Sequence, residues 1–111
     1  MTPDSFKARL GSPAHRFADT LAFIDQHYHY QPCAFDNGPL HNSPEQNQGS
    51  CRLLAMALDL ELSDSQALAC FGEHYQSVLD HPDGKEHANI RALMQHGLRG
   101  VRFEGQALIR R

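Results

Sequence analysis

Gly49-Ser50-Cys51 is the tripeptide whose residue types and order come nearest to chemistry. A cysteine in the first turn of a helix sees unpaired backbone N–H groups and the positive end of the helix dipole, and both favour the thiolate. Gly49 would let a ligand approach the backbone closely. The same N–H groups could stabilise an oxyanion in acyl transfer. A nucleophile also needs a base, and two are on offer: His87, in the first turn of another helix, and His41, in a polar loop. The plainer reading makes Cys51 a small buried hydrophobe, because free cysteine is among the most buried residue types.

The same helix start also reads as an anion site. Arg52 falls in the first turn, where the dipole disfavours a cation, and a bound carboxylate or phosphate would offset that. Asn37, Asn42 and Asn47 could add amide donors and Arg91 a guanidinium, although asparagines in such a stretch also brace a loop that must satisfy its own backbone. Metal chemistry has less support. His27-Tyr28-His29 would turn two imidazoles to one side if extended, but no second cluster has zinc-ligand spacing. No metal or other cofactor is expected. Glu73 and His74 are neighbours on a helix and point to different faces, which makes a poor dyad.

These groups must be positioned by a small set of elements. Thr2-Pro3 opens a short helix that Gly11 stops, and Ser12-Pro13 repeats the start signal. Ala14, Phe17, Leu21, Ile24 and Tyr28 then predict an amphipathic helix of about four turns. Residues 31–36 suit a short extended segment, and Asp36-Asn37-Gly38-Pro39 a turn. His41 to Ser50 has no apolar residue, and an ordered polar loop of that length is often functional. Ser50 reads as an N-cap for a central helix over Cys51–Leu60, apolar on nearly every side. Ser63-x-x-Gln66 is a capping box opening a helix with Leu68, Phe71, Tyr75, Val78 and Leu79 inward. Gly72 inside that helix implies close packing there. His81 to Gly84 is a turn, Glu86 to His96 a helix stopped by Gly97, and Val101 to Ile109 a small hairpin turning at Glu104-Gly105.

The whole is α+β: one compact domain over residues 1–111, with about four to five helices around the central apolar helix and a small antiparallel sheet. With 111 residues, 41% apolar types and 21% charged, the chain is neither a disordered tail nor a fibre. Ten Lys+Arg against 13 Asp+Glu give a net charge of −3, and no basic run appears, which argues against nucleic acid. No stretch approaches the ~18 apolar residues of a membrane span. Cys33, Cys51 and Cys70 are an odd number with no signal peptide before them, so reduced thiols in a cytoplasm are expected.

Several blocks, in order, resemble the HopJ type III effector family of proteobacteria. They are Thr20-Leu21-x-x-Ile24, His27-Tyr28-x-Tyr30-x-Pro32, Phe35-x-Asn37-Gly38, Asn42, Asn47-x-Gly49-Ser50-Cys51, Cys70-Phe71-Gly72-Glu73-x-Tyr75, His87-x-Asn89-Ile90-Arg91 and the run from Gly97 to Leu108. The resemblance spans about Phe17 to Leu108 and implies a compact α/β domain. Arg52 stands where the family often has lysine, and Leu98 where an aromatic is usual. The family carries no established reaction. Its name records secretion, whereas the helix signals at Thr2-Pro3 and Ser12-Pro13 do not look like the unstructured, Ser-rich start of an export signal. The expectation is a cytoplasmic bacterial domain that binds a small anionic or amide-bearing ligand, or a peptide. Asn37, Asn42, Asn47, Gly49, Ser50, Arg52, Asn89 and Arg91 would line one cleft between the 35–51 loop and the start of the 87–96 helix. A thiol enzyme using Cys51 with His87 or His41, and an exported effector acting on a host protein, are the alternatives.

Overall fold

The most apolar stretch of the chain forms the helix around which the rest is arranged. In the computed structural model, which describes residues 1–111, this is α3, Gln48–Asp59, and it buries Cys51, Leu53, Leu54, Met56 and Ala57. Five further helices surround it: α1 Pro3–Arg9, α2 Phe17–His27, α4 Asp64–Cys70, α5 Glu73–Asp80 and α6 Ala88–His96. Phe6, Phe23, Ile24, Phe71, Val78, Ile90 and Leu93 meet α3 in one contiguous core. Burial of such side chains, at about 1.5–3 kcal/mol each, is the main force holding so short a chain together.

Local signals set most helix boundaries. Thr2 Oγ1 accepts from the Ser5 N–H at 3.1 Å, with Pro3 at the first helical position. Ser63 and Gln66 form the expected capping box, at 3.1 and 2.9 Å. At α2 the start shifts. Residues 12–15 close a turn, and the helix begins at Phe17, where the Asp19 carboxylate accepts the Arg16 N–H at 2.9 Å. Glu73 Oε1 reaches across from α5 to accept the Phe17 N–H at 2.7 Å.

The helix expected to run from Ser63 to Leu79 is two helices. They break at Gly72, which has φ +56°, and a Cβ there would stand 2.7 Å from the Phe17 nitrogen. The backbones of the α4–α5 junction and the start of α2 touch, which no residue but glycine permits.

The strands are three residues each: β1 Tyr28–Tyr30, β2 Phe35–Asn37, β3 Leu40–Asn42, β4 Val101–Phe103 and β5 Leu108–Arg110. The turn at Gly38-Pro39 joins β2 to β3 with Asn37 opposite Leu40. The C-terminal hairpin does not form. β4 pairs antiparallel with β2, Phe35 opposite Phe103, whereas β5 pairs antiparallel with β1, Tyr28 opposite Arg110. Alternation gave each strand a buried and a wet face but not its partner. Phe35 and Phe103, stacked at 5.3 Å, hold β4 in the first sheet, and the bend after Phe103 carries the chain to the second.

Candidate functional site

The start of α3 decides the chemistry of Cys51. The helix begins not after Ser50 but after Asn47, which takes the left-handed conformation at φ +52°. Gln48, Gly49 and Ser50 are therefore the first turn. The Cys51 N–H is already committed to the Asn47 carbonyl at 2.9 Å, and the side chain turns into the core, 1% exposed. Burial pushes its thiol up, away from the thiolate. Cys51 faces Cys33 and Tyr30, whereas His41 is paired with Asp36 at 2.7 Å and His87 lies against His74. The three-residue shift of the helix start places Cys51 beyond the first turn with its sulfur inward, and neither His87 nor His41 is hydrogen-bonded to it.

The two arginines also depart from expectation. Arg52 lies beyond the first turn, its guanidinium 4.4 Å over the Tyr30 ring. Arg91 is consumed by the 81–86 turn. It donates to the carbonyls of Glu86 at 2.7 Å, His81 at 2.9 Å and Pro82 at 3.1 Å, with the Glu86 carboxylate 3.6 Å away. It lines a separate shallow groove with Val78, Leu79 and Met94 and gives no cation to the polar loop.

The asparagines, by contrast, come together. Asn37, Asn42 and Asn89 are 0%, 1% and 4% exposed. Asn37 Nδ2 donates to the Asn89 carbonyl at 2.9 Å and to its side-chain oxygen at 3.1 Å. Asn89 Nδ2 donates to Asn42 Oδ1 at 3.0 Å, and Asn47 Nδ2 to the same oxygen at 2.6 Å. These bonds tie β2, β3, the cap of α3 and the first turn of α6 into one polar unit. Buried amides bonded in this way rigidify what they connect, and within the unit Asn37 Oδ1 is left without a donor.

In front of that unit lies a cleft of about 320 Å³. One wall is Asn47, Gly49 and Ser50 and the opposite wall is His87, Ala88 and Asn89, so the starts of two helices face a common space. Neither helix has a side-chain cap. Phe17 and Phe71, stacked 6.0 Å apart and nearly parallel, form an aromatic side. His74 sits edge-on to Phe17 at 5.1 Å and 5.0 Å from the His87 ring. Gly49 is needed here because a Cβ would come within 2.9 Å of the Phe17 ring. His87 holds φ +57°, a conformation uncommon outside glycine and asparagine. Phe17, Phe71 and His74 were not legible as neighbours of Gly49. Their only sequence signal was Gly72, whose close packing against residues 16–17 swings the α4–α5 junction into place.

A larger hollow of about 530 Å³ lies between residues 11–16 and α5, but its charges are already spent on each other. Glu73 caps α2 and pairs with Arg16 at 3.6 Å. No group of three or more His, Cys, Asp or Glu side chains is placed to hold a metal ion. No helix is long and apolar enough to cross a membrane.

The family model for the HopJ type III effector protein matches residues 4–108. The fold is similar to a crystal structure of a protein of unknown function, VPA0580. The TM-score is 0.93 and the identity 38%, over 100% of this chain and 95% of that one. No curated protein matches the chain.

Proposed function

The chain belongs to the HopJ type III effector family, and from that premise we propose that it is a small cytoplasmic bacterial domain that binds an anionic or amide-bearing ligand, or a peptide, in the cleft between the starts of α3 and α6. One observation carries the reading. Two uncapped helix N-termini face the same hollow, and backbone N–H groups at such termini favour negative or acceptor groups. The aromatic side supplied by Phe17 and Phe71 suits an apolar or planar portion of the ligand, and the buried asparagines hold the walls at fixed separation. Such preorganisation lowers the entropy cost of binding. Of the residues first assigned to the cleft, Asn47, Gly49, Ser50 and Asn89 border it. Asn37 and Asn42 support it from behind, and Arg52 and Arg91 lie outside its walls.

Amide chemical shifts test the reading. Titration with inorganic phosphate and with acetylated dipeptides is expected to move the Gly49, Ser50 and Ala88 amide signals together. His87→Ala should weaken the effect severalfold. Shifts confined to other surfaces, or none at all, would remove it.

A further inference from the structure

One cluster of reactive groups has no part in the cleft. Cys33 is half-buried in the link between β1 and β2, and the Sγ of the fully buried Cys51 lies 3.6 Å from the Cys33 carbonyl oxygen. The Cys33 side chain is near enough to act on the Cys51 thiol, so the two cysteines are neighbours on facing segments. The Tyr30 hydroxyl lies on the side of the same sulfur without bonding it. That hydroxyl is buried without a partner, and so is the Nε of Arg52, whose guanidinium covers the Tyr30 ring. Orphaned buried polar groups are rare in native structures, and redox sites are one of the places where they occur. Here one of them, the Tyr30 hydroxyl, lies beside the two cysteines, and the other sits on the guanidinium that covers its ring.

We propose that Cys33 and Cys51 are a peroxide-oxidisable dithiol that closes an intramolecular disulfide, fastening the β1–β2 link to the start of α3. Exposure sets the order of events: solvent reaches Cys33 and not Cys51. The Cys33 thiolate attacks one peroxide oxygen. An S–O bond forms as the O–O bond breaks, and the departing hydroxide takes a proton to become water. The Tyr30 hydroxyl, beside both cysteines and without a partner, is at hand to donate to the sulfenic oxygen. Cys51 then gives up its proton and attacks the Cys33 sulfur. The S–S bond forms, the S–O bond breaks, and the hydroxyl leaves as a second water. Two thiols lose two electrons and one peroxide gains them. Burial raises the Cys51 thiol and keeps it from reacting first. Cys70, buried in α4, takes no part.

The experiment treats the full chain with hydrogen peroxide, alkylates the remaining thiols and maps peptides without reduction. The expected product is a Cys33–Cys51 linked peptide, two hydrogens lighter than its parts and reopened by dithiothreitol, with Cys70 alkylated. In Cys51→Ser a dimedone-reactive sulfenic acid should accumulate at Cys33, and in Cys33→Ser the Cys51 thiol should survive the same treatment. The proposal is overturned by a Cys33 sulfenic acid that persists in the unmodified chain, by no oxidation of either thiol, by a disulfide between chains or through Cys70, or by Cys51 oxidising at full rate in Cys33→Ser. The peptide map of the unmodified chain decides even if a variant folds poorly.

Discussion

A single side-chain oxygen, Asn42 Oδ1, takes bonds from both Asn47 and Asn89 and so joins the cap of α3 to the first turn of α6. Asn42→Ala leaves the buried Asn89 amide donor without an acceptor and releases the exposed Asn47 amide to solvent. It is expected to cost about 1–3 kcal/mol for the buried group left unpaired. Urea unfolding of the variant measures this, and a loss below ~0.5 kcal/mol would mean that water replaces the amide without penalty. The three cysteines sort by the same local logic. Iodoacetamide should label Cys33 in the native protein, and Cys51 and Cys70 only on unfolding. Both are sealed in the core, and burial pushes the Cys70 thiol up to about 12. Rapid native labelling at Cys51 would show that α3 opens readily at its first turns. The contrast with Arg91 is instructive at this scale. Its type suggested a ligand cation, but three carbonyls of one turn use its donors. Residue type announced the capacity, and the local chain path chose where it was used.

At the scale of elements, Gly72 is where a substitution should speak most clearly. Its φ of +56° is open to glycine alone at this ψ, and a Cβ would meet the backbone of Arg16 and Phe17. Gly72→Ala should therefore destabilise by at least about 1–3 kcal/mol. It should also lower affinity at the cleft, because Phe71 and His74 flank this position and form part of the lining. Thermal melting and the amide titration check the two effects, and an unchanged melting temperature would show that the α4–α5 junction moves freely. This glycine also shows what was legible in the sequence. Helical periodicity located each helical stretch though not every break, because apolar spacing and caps such as Thr2 and Ser63 are local. Gly72 announced close packing but not its partner, so one helix was expected where two lie at a break. The C-terminal strands were legible by alternation, yet their pairing depends on residues about 65 to 80 positions away, Phe35 for β4 and Tyr28 to Tyr30 for β5. The cleft was partly visible for the same reason. Gly49, Ser50 and Asn89 lie in locally readable helix starts, whereas Phe17 and His74 reach it through tertiary contacts that no spacing encodes.

The molecule as a whole is joined by buried and half-buried polar groups whose protonation differs between the folded and unfolded chain, and this gives its stability a defined dependence on pH. His15 is buried, and desolvation holds its imidazole below the ordinary 6.5. The Thr20 hydroxyl donates to the Cys70 carbonyl, so it accepts from His15 Nε2, while Nδ1 is buried with nothing to receive a second proton's charge. The unfolded chain therefore binds this proton more readily. The His15 contribution is full above about pH 6.5 and declines as pH falls from there to the lowered folded value. Two carboxylates act lower on the scale. Burial alone would raise Asp59, but the Tyr28 hydroxyl and the Arg110 guanidinium outweigh it and hold it below its ordinary 3.8. Glu73 is held below 4.5, chiefly by the Phe17 N–H it accepts. For both, the unfolded chain protonates first, so their contribution is full above about pH 5 and lost as pH falls through the folded values. Denaturant midpoints followed from pH 8 to pH 3 should accordingly fall in two stages, the first beginning near pH 6.5 and the second below pH 5. His15→Gln should flatten the first stage and leave the second. Asp59→Asn should do the reverse, since Asp59 ties α3 to β1 through Tyr28 and to β5 through Arg110 at 2.9 Å. A profile that stays level between pH 7 and pH 5, or a His15 variant that keeps the upper slope, would mean that the turn before α2 opens to admit the proton without unfolding the domain. The 11–16 segment would then be a separately mobile element and not a part of the single core.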